Sequence, residues 1–370
     1  MIKVLVITNR FIYGGIEQFL LNLFENRKCP DIQFDLLTLI SMRDEALIEK
    51  VNACGVNCRS LELEKYTKMK RQIYHYKKLY DLIKDEKYQV VHLNITNYVR
   101  SFDLLTARLA GAKVRIVHAH SSIKGESLAR RLQRPCRLIY DLSATDYCAC
   151  SDEAAKYLFS RSVVRRKAYQ VIPNGINTKK YLYSEADRKR VRHELGIRDE
   201  ELLIGHVGRL TEAKNHTFLL QVFREIKNLR EASRLLLVGN GELRNEVEQE
   251  IRRLQLEDFV ILYGTSPDVS RLLSAMDVFL FPSRWEGLGI SAVEAQCNGL
   301  PCYISENVPA SVLLTSNSMQ LRITDGAEAW ARTILDTHTR SDEVDRIEAS
   351  GYGINSTIRK LEEIYRKAGE

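Results

Sequence analysis

Short apolar runs recur along the 370-residue chain, and each is followed by a stretch in which apolar positions fall three and four residues apart. The runs read as buried strands and the stretches as amphipathic helices. Val4–Thr8 is the first predicted strand, and Ile16–Glu25 the first helix, with Phe19, Leu20, Leu23 and Phe24 on one side. Further strands are predicted at 34–39, 90–93, 114–118, 147–150 and 169–172, the last leading into the turn signal Pro173-Asn174-Gly175. The pattern then restarts after a polar, charged stretch, Asn177 to Arg192. Strands at 202–207, 234–238, 260–263, 278–281 and 301–304 alternate with helices at 216–229, 242–254, 269–274 and 291–298. Such alternation with short connections requires parallel strands whose crossover helices cover both faces. The expected fold is α/β, with two doubly wound Rossmann-like domains, residues 1–170 and 171–353, whose parallel sheets face each other across a cleft.

Composition narrows the class. Forty-five per cent of residues are hydrophobic, and 19 Gly with 7 Pro exclude collagenous or low-complexity chains. No apolar run approaches the ~20 residues of a membrane-spanning helix. A strand is predicted from the first residues onward, so a cytoplasmic protein is expected. The eight cysteines include no Cys-x-x-Cys pair, which points to buried small side chains rather than to metal or redox chemistry. Charge is uneven: residues 1–180 carry 31 basic and 18 acidic side chains, while the whole chain carries 55 and 48. The basic residues cluster at 65–78 and 130–137, among aromatic and apolar ones. That pattern suits either a solvated helix face or contact with an anionic membrane surface. No nucleic-acid-binding motif accompanies it, so no nucleic-acid partner is expected.

In doubly wound sheets ligands bind beyond the carboxyl ends of strands, and four such loops stand out. Pro282-Ser-Arg-Trp-Glu286-Gly-Leu-Gly289-Ile290-Ser-Ala-Val-Glu294 follows a strand and opens a helix, with Ser291 to Glu294 spaced as a capping box. Free N–H groups at such a helix start suit phosphate oxygens, and acceptor-only carboxylates suit sugar and ribose hydroxyls. At Gly208-Arg209, with Lys214 five residues on, two cations at a strand end suit a diphosphate. The absence of an Asp-x-Asp pair argues against a carboxylate-held metal clamp. Gly14-Gly15 makes a strand-to-helix turn that is neither G-x-G-x-x-G nor a Walker loop, and permits close approach of a ligand. His118 and His120 share one face at a strand end, before Ser121 and Ser122. With no third ligand nearby in sequence they make a poor zinc site, and His120 is expected to hydrogen-bond a substrate hydroxyl.

In this order the four segments resemble the GT-B, family-4 retaining glycosyltransferases, over nearly the whole chain. Ile172-Pro-Asn-Gly-Ile-Asn177 and Leu237-Val-Gly-Asn-Gly241 support the likeness. Val-His-Ala-His-Ser-Ser and Gly-His-Val-Gly-Arg resemble the EpsF-like branch of bacterial exopolysaccharide and capsule enzymes. The resemblance implies that Arg209 and Lys214 hold the nucleotide diphosphate and stabilise its leaving charge. It implies that Glu294 bonds the ribose and that Glu286 lies beside the donor sugar. It places Leu288, Gly289 and Ile290 near the sugar or phosphates, Gly15 with Gly14 and Gly208 against the diphosphate, and His120 in the sugar pocket. It further implies a nucleotide-sugar donor, with UDP favoured, and no metal or other cofactor. The implied acceptor is a saccharide or lipid-diphosphate-linked sugar, met at the inner face of the cell membrane by a peripheral enzyme. The amphipathic segment at about 354–370 would pack back on the first domain. Val-His-Leu-Asn94 departs from the commoner His-x-His at that strand end, and the chain after Pro309 follows the family loosely. A nucleotide-sugar epimerase or hydrolase of the same fold, and a non-catalytic sugar-nucleotide binder, remain open alternatives.

Overall fold

The computed structural model describes residues 1–9, 11, 15–42, 44–96, 98, 100–120, 133–336 and 339–370. The chain divides into two compact units, Met1–Ile176 with Ile354–Glu370, and Asn177–Gly353. The first holds a seven-stranded sheet built from β1 (Ile2–Thr8), β2 (Ile32–Thr38), β3 (Asn57–Ser60), β4 (Val90–Ile95), β5 (Val114–Ala119), β6 (Asp146–Ala149) and β7 (Gln170–Val171). Every pairing is parallel and the order is β3-β2-β1-β4-β5-β6-β7. Because β7 pairs with β6, the first unit runs on to Ile176 instead of ending at residue 170.

The second unit holds β8 (Leu202–Val207), β9 (Ser233–Val238), β10 (Val260–Gly264), β11 (Val278–Phe281), β12 (Cys302–Ser305) and β13 (Ser318–Leu321). These strands are also all parallel, ordered β10-β9-β8-β11-β12-β13. The reversal between β8 and β11, like that between β1 and β4, is where a doubly wound sheet opens toward a ligand.

Central strands show why the apolar runs were readable. Val4 to Ile7 and Val278 to Phe281 are fully buried, since helices cover both faces. The edge strands β3 and β13 were not expected from the pattern. Their sequences, Asn-Cys-Arg-Ser and Ser-Met-Gln-Leu, are partly exposed and carry no apolar run, as edges tolerate. The polar stretch after Asn177 is not an irregular connection. It forms a 3₁₀ turn at Thr178–Tyr181 and a helix at Glu185–Glu194, capped by Ser184 accepting from the Asp187 amide at 3.1 Å. Arg192 lies buried on that helix, where it bonds Asp277 at 3.2 Å and the Glu201 carbonyl at 2.6 Å.

The C-terminal helix Ile354–Arg366 belongs to the first unit. It buries Ile358, Leu361, Ile364 and Tyr365 in the core formed by the helix Gly15–Asn26 and strands β1 and β2. The Pro173-Asn174-Gly175 turn is clamped between these two helices. Asn22 donates to the Gly175 carbonyl at 3.0 Å, and Thr357 donates to that of Pro173 at 3.1 Å. A β-carbon on Gly175 would lie 2.4 Å from the Thr357 hydroxyl, so a larger residue would force the turn off the helix.

Candidate active site

In the second unit two loops from neighbouring strand ends are stitched together. One follows β8 and includes the turn Glu212–Lys214; the other follows β11 and runs from Pro282 to Gly289. The Arg284 amide donates to the Ala213 carbonyl at 2.7 Å, and the Asn215 side chain donates to that of Pro282 at 3.2 Å. The Arg284 guanidinium returns a bond to Asn215 Oδ1 at 3.2 Å. Asn215 itself adopts the left-handed conformation, φ 57°, which asparagine accepts more readily than most residues and which turns the chain into the helix His216–Leu229.

This stitching brings Lys214 Nζ to 2.6 Å from Glu286 Oε1 and 4.4 Å from the centre of the Phe281 ring. Both charged side chains are largely shielded, at 16% and 13% exposure. Partial burial strengthens the ion pair, and the aromatic face adds a cation–π contact. Gly208 makes room for the lysine, because a β-carbon there would lie 3.1 Å from Lys214 Cε and 2.8 Å from His206 Nε2. The Gly239-Asn-Gly241 turn serves the same loop. Side chains on its two glycines would meet the carbonyls of Gly208 and Leu210 at 2.0 and 2.2 Å. Arg209 is held differently from Lys214: 57% exposed, it stands 3.8 Å from Glu242, a loose surface pair.

The β11 loop ends at Gly289, whose φ of 89° favours glycine, and the helix Ile290–Cys297 begins there. Leu288 is buried and Ile290 half-buried. The expected capping box is absent. Gly289 occupies the cap position, no side chain caps the helix, and Ser291 and Glu294 already lie inside it. The first N–H groups of a helix have no intrahelical acceptor, which leaves an anion-favouring end next to the Lys214–Glu286 pair. Glu294 faces inward and accepts from the Tyr181 hydroxyl at 2.7 Å. Burial pushes its carboxyl up to about 7, against the pull of Tyr181, Lys180 and Lys214.

In the first unit His120 sits at the end of β5, 8% exposed, with the Phe19 ring 5.1 Å away. Its Nε2 lies 2.8 Å from Asn94 Oδ1 and its Nδ1 3.0 Å from Asn174 Oδ1. Burial lowers the imidazole to about 4, so the ring is neutral near pH 7 and carries one N–H; one of the two asparagines therefore turns its amide NH2 group, not its oxygen, to the other ring nitrogen. Both nitrogens are engaged, so a substrate hydroxyl would have to displace an asparagine. His118 and His92 continue inward, with His92 Nε2 3.1 Å from His118 Nδ1 and Nδ1 2.8 Å from the Tyr365 hydroxyl. These nitrogens pair along a line. Among the described residues no group of three or more His, Cys, Asp or Glu is placed to hold a metal. Gly15 opens the first helix, with nothing within 4 Å of the space a side chain would take. Gly14, Ser121, Ser122, Arg130 and Arg131 lie outside the described residues.

The structure therefore joins Lys214 with Glu286 and sets Glu294 close to them. Tyr181, Asn215, Phe281 and Arg284 escaped the sequence reading. Only Asn215 left a local signal, an Asn just before a helix; the others act through contacts across 67 to 113 residues of chain.

Two all-parallel doubly wound units with charged loops at the strand ends define a GT-B type of enzyme, and comparison with known proteins is more specific. Residues 187–352 match the glycosyl transferases group 1 family, and residues 13–180 match glycosyltransferase family 4. The chain is 30% identical over 378 residues to "Putative glycosyltransferase EpsF" of Bacillus subtilis (strain 168), covering 100% of this chain and 97% of the relative. It is 29% identical over 321 residues to the Escherichia coli "UDP-Gal:alpha-D-GlcNAc-diphosphoundecaprenol alpha-1,3-galactosyltransferase", covering 83% and 79%. Among solved structures, Anabaena HepE in complex with UDP and glucose superposes with a TM-score of 0.81 at 18% identity, covering 98% of this chain and 99% of that one. HepE has also been solved with UDP-glucose. The protein belongs to the group 1/family 4 glycosyltransferases and has the GT-B fold.

Glu294 supplies a check on the buried carboxyl. Its folded-state pKa lies above the unfolded value of 4.5, so the wild type loses stability as pH rises from about 4.5 to about 7, by about 3 kcal/mol. Glu294→Gln lacks that loss. Urea unfolding at pH 5 and pH 8 should show the variant gaining on the wild type by roughly that amount. A pH-independent difference would mean that the carboxyl is not buried as described.

Proposed function

We propose that the protein is a retaining glycosyltransferase that moves a sugar from a nucleoside-diphosphate sugar, UDP-linked by preference, to a hydroxyl of a lipid-diphosphate-linked saccharide. The observation that carries this reading is the shielded Lys214–Glu286 pair between the β8 and β11 loops, with Arg209 nearby in the chain and Glu294 close behind. Support for the donor comes from the UDP and UDP-glucose of the HepE structures and from the UDP-Gal named for the E. coli relative. The same relative's name supports a lipid-diphosphate acceptor.

In the proposed reaction the acceptor oxygen forms a bond to the anomeric carbon while the bond from that carbon to the β-phosphate oxygen breaks. The electron pair leaves with the nucleoside diphosphate, and a phosphate oxygen takes the acceptor's proton. Attack on the face the leaving group departs from retains the anomeric configuration. Lys214 and Arg209, with N–H groups of the helix starting at Ile290, stabilise the charge growing on the phosphate. Glu286 keeps Lys214 in place and lies beside the sugar, Glu294 accepts from the ribose, and the strand end at Gly208 and the helix start at Gly15 leave room for the diphosphate. His120 is assigned to the sugar in this reading, with a sugar hydroxyl displacing one of its two asparagines. The proposed mechanism draws its positive charge from these side chains and needs no metal ion.

The acceptor reading also places the enzyme at the cytoplasmic face of a membrane in an exopolysaccharide or capsule pathway. Support lies on the helix Lys68–Asp85, which exposes Lys70, Arg71, Lys77 and Lys78 around Ile73, itself 74% exposed. Leu138 and Leu142, on the helix Arg137–Ser143 in the same unit, are 60% and 65% exposed. Cations around exposed apolar side chains suit anionic lipid. No helix among the described residues is long and apolar enough to cross a membrane.

Thermal-shift screening against UDP-, GDP- and ADP-sugars should raise the melting temperature most with a UDP-sugar. With that donor, Arg209→Ala should lose roughly 10²–10³-fold in kcat, by analogy with removal of an oxyanion donor, and NMR of the product should show the donor's own anomeric configuration. An inverted product, or sugar release that needs no acceptor, would overturn the proposal. Sedimentation with anionic vesicles at low salt should pull down the wild type, and Lys70→Glu/Lys77→Glu should stay in solution. Failure of the wild type to sediment would remove the membrane element alone.

A further inference from the structure

Tyr181 is the last residue of the 3₁₀ turn that opens the second unit, and it is fixed at both ends to the helix carrying Glu294. Its hydroxyl donates to Glu294 Oε1 at 2.7 Å. Its carbonyl accepts from the side chain of Asn298, one helical turn beyond Glu294, at 2.9 Å. Asn298 is held in turn by Arg340, and the other end of the 3₁₀ turn is anchored by Thr178 donating to Glu348 at 2.6 Å. The ring is 5% exposed, so it has little freedom to swing away. Among the described residues, no other hydrogen bond reaches the Glu294 carboxyl.

We propose that Tyr181 is a positioning residue: its hydroxyl holds one oxygen of Glu294 so that the carboxylate is fixed and ionised to receive the ribose hydroxyls of the donor. The inference rests on the reading of Glu294 as the ribose-binding group. Nothing in the local sequence announces the pair, which spans 113 residues.

The chemistry follows from the environment. A carboxylate accepts from two vicinal hydroxyls through its two oxygens, whereas a protonated carboxyl must spend one oxygen as a donor. Burial alone would keep the proton on, and the tyrosine hydroxyl opposes it by bonding the charged form. Lys180 and Lys214 add attraction for the charged form. Among the remaining groups nearby, Cys297 lies one turn along the helix, Glu348 faces that cysteine and Asp268 faces Tyr181. Tyr181 remains a neutral donor throughout, because burial and the adjacent carboxyl hold its own proton well above the usual range. Nucleotide affinity should therefore rise with pH through about 7 and level off above it.

The test is calorimetric titration of the full-length protein with UDP, and with GDP and ADP in parallel, from pH 5.5 to 9. Wild type, Tyr181→Phe and Glu294→Gln are compared. The Glu294→Gln profile carries the titration of the phosphate itself, so the other two are read as differences from it. Tyr181→Phe removes only the hydroxyl and keeps the buried ring. Binding by this variant at pH 7 should be weaker by about tenfold, the scale of a hydrogen bond to a charged group. The midpoint of its pH profile should move upward, and the deficit should shrink by pH 9. A Tyr181→Phe profile superimposable on that of the wild type would overturn the inference. Should Glu294→Gln instead bind like the wild type, or no nucleoside diphosphate bind at all, the reading of Glu294 falls and the inference with it.

Discussion

Lys214 and Glu286 lie 72 residues apart in sequence and 2.6 Å apart in space, both largely shielded from solvent. Bringing a cation and a carboxylate together there has a desolvation cost, and an ion pair of this kind is weak evidence of stabilisation. Other parts of the unit make the arrangement possible. Gly208 gives the lysine stem its path, and Gly239 and Gly241 let a second turn press on the backbone of the same loop. Asn215 and Arg284 then tie the lysine loop to the glutamate loop from both sides. The Phe281 ring receives the ammonium group on its π face.

Under the proposed function this arrangement suits catalysis, because a compact ammonium carries three donors and Glu286 occupies one side of it. In that proposal an arriving diphosphate would find the charge already oriented, which would spare reorganisation when negative charge grows on the leaving oxygen. The same logic operates at Glu294, where burial favours the proton and Tyr181 favours its loss. Two carboxylates on one loop and helix thus have different surroundings, one paired with Lys214 and the other with Tyr181. In the first unit, His120 is kept neutral and is held between Asn94 and Asn174. Asn174 is fixed in turn by the clamp on the Pro173–Gly175 turn, so the C-terminal helix supports that strand end from below.

Much of the fold could be read from the sequence because buried parallel strands leave a strong local trace. Leu202–Val207, Val278–Phe281 and the helix His216–Leu229 stand where the pattern puts them. The edge strands Asn57–Ser60 and Ser318–Leu321 left no trace, since one side of an edge needs no apolar residue. The helix Glu185–Glu194 was hidden by its solvated surface. At the candidate site, loops placed by strand ends were legible through glycines and charges. Their internal wiring was not. The Ser291–Glu294 spacing mimics a cap, yet Gly289 is the cap and Glu294 turns inward to Tyr181. Arg209 and Lys214 look equivalent in sequence, but only one of them is drawn to Glu286.

The central claim is that the shielded lysine at the β8 strand end waits for a diphosphate. A crystal structure of the protein soaked with UDP tests it most directly. The account predicts a phosphate oxygen within hydrogen-bond reach of Lys214 Nζ and the ribose hydroxyls on Glu294. Nucleotide bound elsewhere, with the Lys214–Glu286 pair untouched, would contradict it.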